Sequence, residues 1–377
     1  MKRLSVSSAL STLLVTCALV SQQAYQVNAN KCYAVAFSSG QESSAFQAGA
    51  LLGLLQKVQG DQMQYSSISG IAGGAINAVY LASHAKGDEQ AAANQMKKFW
   101  TDAGNTKLYQ DWFGGIVNGL LLQGGLYDNS PLKAFIQKEF ANTNIHRDIA
   151  IGIVDALKGS YQEFSEANIT SGDNLINSLY SSFSIPGFFP PVKAFGSKWF
   201  DGSAVYELDI SSAINRCLEQ TSEENVVVDV LMTSSANLKQ VDGNDYRSVG
   251  MLFRFLEINS FYHSMDGLLR AKFAYPKINF RYVISPTKSL PTSLYPLSLS
   301  AQQIQDVINQ GISDASAAVH AGEGVSIENM IQYYYMKKTN DSRLSKMTLG
   351  DFLEAKTSGQ FDEPLDTEND HFFLRYK

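Results

Sequence analysis

The stretch SISGIAGGAINAVYLA, residues 67–82, decides how this chain is expected to fold. Its first part belongs to a short apolar segment typical of a buried strand, and its last part is alanine-rich and spaced like a helix. Gly70 and Gly74 flank the turn between them, and glycines permit the tight, strained turn of a nucleophile elbow, Gly-x-Nuc-x-Gly. The central residue here is Ala72. Alone the pattern is weak, because small residues at such a junction also allow simple close packing.

Strand-like and helix-like segments alternate on both sides of this turn. Apolar or β-branched runs predict strands at residues 32–37, 65–69, 149–154, 226–231 and 278–284, and apolar spacing predicts helices at residues 45–58, 75–85, 89–102, 131–139 and 301–321. This alternation is typical of a mostly parallel sheet covered on both faces, so the predicted fold class is α/β. The sequence after about residue 342 is more polar, and we expect it to lie over the surface.

Composition excludes several classes of protein. The chain has 377 residues, of which 45% are hydrophobic, enough for a large core and too many for wholesale disorder. Its length allows two domains or one large α/β domain. The 30 basic and 36 acidic side chains give a net charge of −6, so we expect no nucleic-acid partner.

Residues 1–29 have the pattern of a secretory signal peptide. Lys2 and Arg3 precede an apolar run at residues 10–20, which is too short to span a bilayer core of about 30 Å. Cleavage could follow Ser21, Ala24 or Ala29, of which Ala29 has the most favourable small residues before it. The expected location is the secretory pathway, a vesicle lumen or the extracellular space. The alternative interpretation is an apolar amino terminus that is retained or acts as an anchor.

Secretion affects how the cysteines and asparagines are interpreted. Cys17 would leave with the signal, so Cys32 and Cys217 could pair in an oxidising compartment, or could remain two separate buried thiols. Neither alternative is excluded by their spacing. The triplets Asn168-Ile-Thr170 and Asn340-Asp-Ser342 are acceptor sequons that predict a glycoprotein, although such triplets are common by chance.

Three ordered segments resemble the patatin-like phospholipase family. The elbow is followed by the AINA sequence of the family, the first glycine-rich turn by an AFQAG helix start, and a later segment reads S-x-x-I-P-G-x-F-P-P-V before an Asp-Gly turn. These segments are residues 67–82, 34–55 and 182–203. The resemblance covers about residues 32–321 and implies a patatin-like three-layer α/β/α sandwich with a mostly parallel central sheet. It places the domain at residues 30–322 and leaves 323–377 as a carboxyl-terminal extension.

The resemblance also assigns the positions of a Ser–Asp dyad that hydrolyses acyl esters. Ala72 stands at the nucleophile position, and Asp201 is the retained dyad aspartate. The family's oxyanion turn has glycines at positions that are here Ser39, Gly40 and Gln41, so one of the three remains. A methyl group cannot attack a carbonyl, and loss of such a nucleophile costs on the order of 10⁶ in kcat.

Three functional hypotheses follow from this mixture of kept and lost features. The leading one is a pseudoenzyme that binds lipid or acyl chains without Ser–Asp hydrolysis, with Asp201 only holding its loop. The alternatives are a weakly active lipid acyl hydrolase with an unorthodox nucleophile, and a structural or interaction protein that reuses the fold.

Other ligands receive less support. Residues 251–282 interleave aromatic and cationic side chains, which suits peripheral membrane contact but equally a core helix followed by a strand. The five histidines are scattered without ligand spacing, and neither glycine-rich turn has a nucleotide-binding pattern. We therefore expect no metal and no cofactor.

Overall fold

The computed structural model describes residues 31–169, 171–234, 248–291, 295–339, 341–344 and 347–361. The predicted signal peptide, Thr170 of the first sequon and Asn340 of the second lie outside the described residues.

Eight strands of the described residues form a central sheet. The strands are β1 (Cys32–Phe37), β2 (Ser67–Ile71), β3 (Asp148–Asp155), β4 (Ser160–Ser165), β5 (Val192–Ala194), β6 (Ser197–Asp201), β7 (Val226–Leu231) and β8 (Asn279–Ile284). Their order is β5-β6-β3-β2-β1-β7-β8, with β4 paired to β3. The β3-β2-β1-β7-β8 part is parallel, and the β3–β4, β3–β6 and β5–β6 pairs are antiparallel.

Helices cover both faces of this sheet. They are α1 (Ala45–Lys57), α2 (Gly73–Ala82), α3 (Glu89–Ala103), α4 (Gly115–Asn118), α5 (Ser130–Phe140), α6 (Gly172–Ser182), α7 (Ile210–Leu218), α8 (Ser248–Ala274), α9 (Ala301–Ala321), α10 (Val325–Lys338) and α11 (Leu349–Thr357). Helices α1, α2, α3, α5, α6 and α9 pack into one core, and α7, α8, α10 and α11 pack into the other.

Alternation along β1 shows how one strand serves both cores. Val35 and Phe37 belong to the first core, whereas Ala34 and Ala36 belong to the second. Successive side chains of a strand point to opposite faces, and a strand covered on both faces is apolar throughout. The predicted three-layer α/β/α arrangement with a mostly parallel sheet is confirmed.

The expectation for the carboxyl-terminal sequence was wrong in part. Leu349 and Phe352 of α11 are buried in the second core together with Phe361. A few apolar side chains in a polar sequence were enough to bring this segment inward. The proposed domain boundary near residue 322 stays a prediction.

Residues 251–282, whose composition suits either membrane contact or a core helix and strand, run from α8 into β8. Phe261, Met265 and Leu268 of α8 are buried in the second core, while Met251 and Phe255 near its start are exposed. Within the described ranges, we find no helix with the length and apolar character needed to cross a bilayer.

Cys32 and Cys217 form a disulfide, which decides between the two alternatives left open by their spacing. The bond ties the start of β1 to α7 across 185 positions of sequence. Cross-links that close long loops typically stabilise a fold by about 2–4 kcal/mol.

Candidate functional site

The elbow lies where β2 ends and α2 begins. Ala72 joins them with φ 51° and ψ −121°, a conformation that residues other than glycine rarely adopt and that costs about 1–3 kcal/mol. The residue is buried, with 1% of its surface exposed. The strained turn of a nucleophile elbow is therefore present, with a methyl group where an attacking oxygen would be.

Gly70 and Gly74 let the elbow pack tightly. A Cβ atom on Gly70 would overlap the backbone of Gly74, and a Cβ atom on Gly74 would overlap the carbonyl oxygen of Ser38. Backbone atoms cannot rotate away as a flexible side chain can. The elbow therefore requires Gly70 for its own backbone packing and Gly74 for its packing against the end of β1 and the first glycine-rich turn, whether or not the site performs chemistry.

Strand register brings Asp201 to the same edge of the sheet as Ala72. Asp201 ends β6 and is in register with Ile153 of β3, while Ile71, the residue before Ala72, is in register with Gly152. The Asp201 side chain is buried, and its Oδ1 accepts a hydrogen bond from the Ser203 N–H at 2.8 Å. Three adjacent strands thus place the two dyad positions close together.

The segment Ser182–Ser184 connects these two positions directly. The Ala72 N–H donates to the Ser182 Oγ at 2.8 Å, and this hydroxyl donates to the Gly152 carbonyl at 2.8 Å. The Asp201 N–H donates to the Ser184 carbonyl at 3.1 Å. The first serine of the S-x-x-I-P-G segment was therefore the sequence signal for a residue that fixes the elbow, although its role was not predicted.

The first glycine-rich turn is hydrogen-bonded to a distant part of the same chain. The Ser39 N–H donates to the Glu207 carbonyl at 2.8 Å, and the Ser39 Oγ donates to the Glu207 carboxylate. Gly40 lies against the Thr233 side chain, and Gln41 has a positive φ of 50°. The amide at one of the three oxyanion positions is thus already bonded to a protein carbonyl.

A family model matches the part of the chain that contains this elbow. The model described as patatin-like phospholipase matches residues 35–214, which contain both glycine-rich turns and Asp201. These residues form a patatin-like phospholipase domain.

Other comparisons add little to this. No curated protein matches the chain significantly. The crystal structure of VipD from Legionella pneumophila aligns with 11% identity and a TM-score of 0.37, covering 88% of this chain and 78% of that one.

Glu207 is a site residue of the patatin-like domain that the sequence did not reveal. It lies six positions after Asp201 in an irregular segment that no motif covers. Burial raises the pKa of its carboxyl group, while the hydrogen bond from Ser39 and the nearby His263 oppose that rise. A carboxyl group other than that of Asp201 is therefore bonded to the oxyanion turn.

Burial makes the carboxyl group of Asp201 a weaker acid than that of an ordinary aspartate. Its environment raises the pKa from 3.8 to about 7, because burial disfavours the charged form and the negative charge of Glu207 adds to the effect. The hydrogen bond from Ser203 partly offsets this rise. Near neutral pH a substantial fraction of Asp201 is protonated.

The raised pKa of Asp201 predicts that the free energy of unfolding depends on pH. Asp201→Asn should weaken this pH dependence. Between about pH 4 and 7 folded Asp201 holds a proton that the unfolded chain releases, so its contribution is present at low pH and is lost as pH rises through 7. Between pH 5 and pH 8 the wild type should lose about 2–3 kcal/mol of free energy of unfolding that Asp201→Asn does not lose. Urea unfolding at both values measures it. Parallel pH dependences of the two proteins would contradict the assignment.

A polar cavity of about 280 Å³ adjoins Glu207 on the side of α8. Its charged lining comprises Glu163, Glu207, Asp209, His263, Asp266 and Arg270. Four carboxyl groups suit an acyl chain poorly, and neither Ala72 nor Asp201 lines this space. Among the described residues no cluster of His, Cys, Asp or Glu is arranged to hold a metal ion.

Proposed function

We propose that this protein binds lipid or acyl chains through its patatin-like domain and does not hydrolyse them by a Ser–Asp dyad. The observation that carries the proposal is Ala72 itself, a methyl group at the strained apex of an otherwise complete elbow. Without an oxygen at this apex, no acyl-enzyme can form there.

The oxyanion turn supports the same conclusion. An oxyanion site needs N–H donors aimed at the place where negative charge develops. The Ser39 N–H instead donates to Glu207 inside the protein. Two separate parts of the hydrolytic machinery are therefore unsuited to hydrolysis, which is more than a single substitution would produce.

An aromatic wall beside the oxyanion turn supports acyl binding. The Tyr109 ring lies 5.0 Å from the Tyr127 ring and 5.7 Å from the Phe189 ring, and Tyr127 lies 6.2 Å from Tyr295. Glu42 of the oxyanion turn accepts a hydrogen bond from the Leu297 N–H at 2.8 Å. This bond holds the segment that contains Tyr295 and Leu297 close to the oxyanion turn. Aromatic surface suits a hydrocarbon chain better than a charged ligand.

Lipid extraction tests this function directly. We expect the purified full-length chain to carry acyl lipid detectable by mass spectrometry, at a ratio approaching one per protein. Tyr109→Asp places a carboxylate in the aromatic wall and should remove most of that lipid. Tyr206→Asp, at an exposed position beside the polar cavity, is the matched control and should retain it. Lipid-free wild-type protein, also after incubation with phospholipid, would refute the proposal.

A second candidate, weak hydrolysis, is favoured by one observation. The hydroxyl of Ser39 donates to the Glu207 carboxylate, which is the pairing that activates a serine nucleophile. Ser39 is nearly buried, with 7% of its surface exposed, so an ester would reach it poorly. Ester turnover by wild-type protein that is abolished by Ser39→Ala would establish this alternative.

We also propose that the chain matures in the secretory pathway. The disulfide between Cys32 and Cys217 supports an oxidising compartment, and Asn168 of the first sequon is exposed. The lipid experiment can use protein from the medium of secreting cells. Recovery there with an amino terminus at Asn30 would support the proposal, and retention of an intact amino terminus inside the cells would oppose it.

A further inference from the structure

An uncharged apolar segment projects from the domain between α3 and α5. Residues 112–126, here called the apolar loop, contain no charged side chain. Phe113 is fully exposed, Leu121 is 72% exposed and Leu122 is 78% exposed. Ile116, Val117 and Leu120 are also exposed. Six large apolar side chains in water within ten residues are unusual for a protein surface.

Hydrogen bonds within the apolar loop hold its backbone in a conformation that exposes these side chains. The loop consists of α4 and a π-helical turn, Gly119–Gln123. At its base, the Trp112 indole N–H donates to the Gly125 carbonyl at 3.0 Å, and the Asn118 side-chain amide donates to the Phe113 carbonyl at 2.7 Å. These bonds fix the loop through its polar groups and leave its leucines facing outward.

The size of the apolar loop argues against a second protein as its partner. A stable protein interface uses about 20–30 residues on each side, whereas the loop offers fifteen consecutive residues, residues 112–126. Its helical part, residues 115–123, is likewise too short to span a bilayer core of about 30 Å. It does suit insertion by about 5–10 Å into the boundary between headgroups and acyl chains.

Charge indicates which kind of bilayer the loop fits. The protein carries a net charge of −6 and would be repelled by an anionic surface. The uncharged loop can meet a zwitterionic surface without that repulsion. We propose that the apolar loop inserts into the interface of a zwitterionic phospholipid bilayer and docks the protein there.

The apolar loop is also tied to the candidate site. The N–H of Leu126, its last residue, donates to the Gly187 carbonyl at 3.0 Å, and the N–H of the next residue, Tyr127, donates to the Phe188 carbonyl at 2.9 Å. These acceptors follow the segment Ser182–Ser184, which holds Ala72 and Asp201. Docking would therefore bring the aromatic wall near the lipid. The inference rests on the proposed function for its choice of lipid as partner.

Vesicle sedimentation of the full-length chain tests the docking. We expect wild-type protein to bind phosphatidylcholine vesicles, with no gain from phosphatidylserine and no loss in 0.5 M NaCl. The double variant Leu121→Glu/Leu122→Glu should bind at least ~10-fold more weakly, because two apolar side chains no longer enter the interface. Leu157→Glu, which replaces an exposed leucine between β3 and β4, is the control and should bind like wild type. Circular dichroism checks that each variant is folded.

Several results would overturn the inference. These are no vesicle binding by wild-type protein, equal binding by the double variant, binding that needs anionic lipid, or a wild-type dimer that the double variant converts to monomer. The docking and the proposed function fail separately. Protein that carries lipid but ignores vesicles would refute only the docking, whereas protein that docks through the loop but carries no lipid would refute only acyl binding.

Discussion

Ala72→Ser should give slow esterase activity to a protein that we expect to have almost none. We expect a gain in kcat/KM on the order of 10³ over wild type with a simple ester such as p-nitrophenyl butyrate. The elbow already holds the residue at φ 51°, and Asp201 ends a strand two positions away in the sheet. A serine oxygen would therefore be presented by the same strained turn that now presents a methyl group.

The state of the oxyanion turn sets the size of this gain. A complete nucleophile contributes on the order of 10⁶, and the loss of an oxyanion donor costs about 10²–10³. The Ser39 N–H is bonded to Glu207. The gain in kcat/KM from Ala72→Ser should therefore be smaller than 10⁶ by about the factor that the loss of an oxyanion donor costs. A gain near 10⁶ would show that the turn is functional as it stands.

The pH profile and a double variant show whether Asp201 is the base. Since the Asp201 pKa is raised to about 7, the rate of Ala72→Ser should increase with pH and reach half of its plateau near pH 7. Ala72→Ser/Asp201→Asn should return to the wild-type background. The assignment of the dyad is wrong if the esterase activity survives in the double variant. It is also wrong if adding Ser39→Ala to Ala72→Ser, with Asp201 kept, removes that activity.

Gly74→Ala should destabilise the protein by more than about 4 kcal/mol, a very large effect for one added methyl group. The added Cβ would overlap the carbonyl oxygens of Ser38 and Phe37. Relief would require β1 and α2 to separate, and both are part of the first core. Urea unfolding followed by tryptophan fluorescence would measure the loss, or show that no folded protein accumulates.

Gly267→Ala is the matched control for that substitution. Gly267 lies within α8, and the nearest atom to an added Cβ would be the Leu208 carbonyl oxygen at an ordinary 3.5 Å. Alanine favours a helix over glycine by about 1 kcal/mol, so this variant should be as stable as wild type or slightly more so. If both variants lost stability equally, the close approach at Gly74 would not be the cause.

Features that depend on local sequence could be predicted well. β1, β7 and α9 have the predicted bounds, because short apolar runs and regular helical spacing depend on neighbouring residues. The elbow could be located from Gly70 and Gly74, since a tight turn requires glycine wherever it occurs. The pairing of Cys32 with Cys217 could not be predicted, because their separation in sequence does not indicate the distance between them in the fold.

Features that depend on contacts between distant residues could not be predicted. Glu207 reaches Ser39 only when the chain after β6 folds back against the first turn, 168 positions away in sequence. Phe352 stands in a polar stretch, and its burial depends on the surface that α10 offers. The exposure of the leucines in residues 112–126 was also hidden, because apolar sequence normally predicts burial.

The bond between Cys32 and Cys217 makes most of the patatin-like domain a closed covalent ring. The ring contains the elbow, Asp201 and the exposed loop at residues 112–126. A protease that cuts this loop would leave the two pieces joined, and they would separate only after reduction. Such a nicked molecule could keep its sheet intact, so damage at the exposed loop need not release the fragment that carries the elbow.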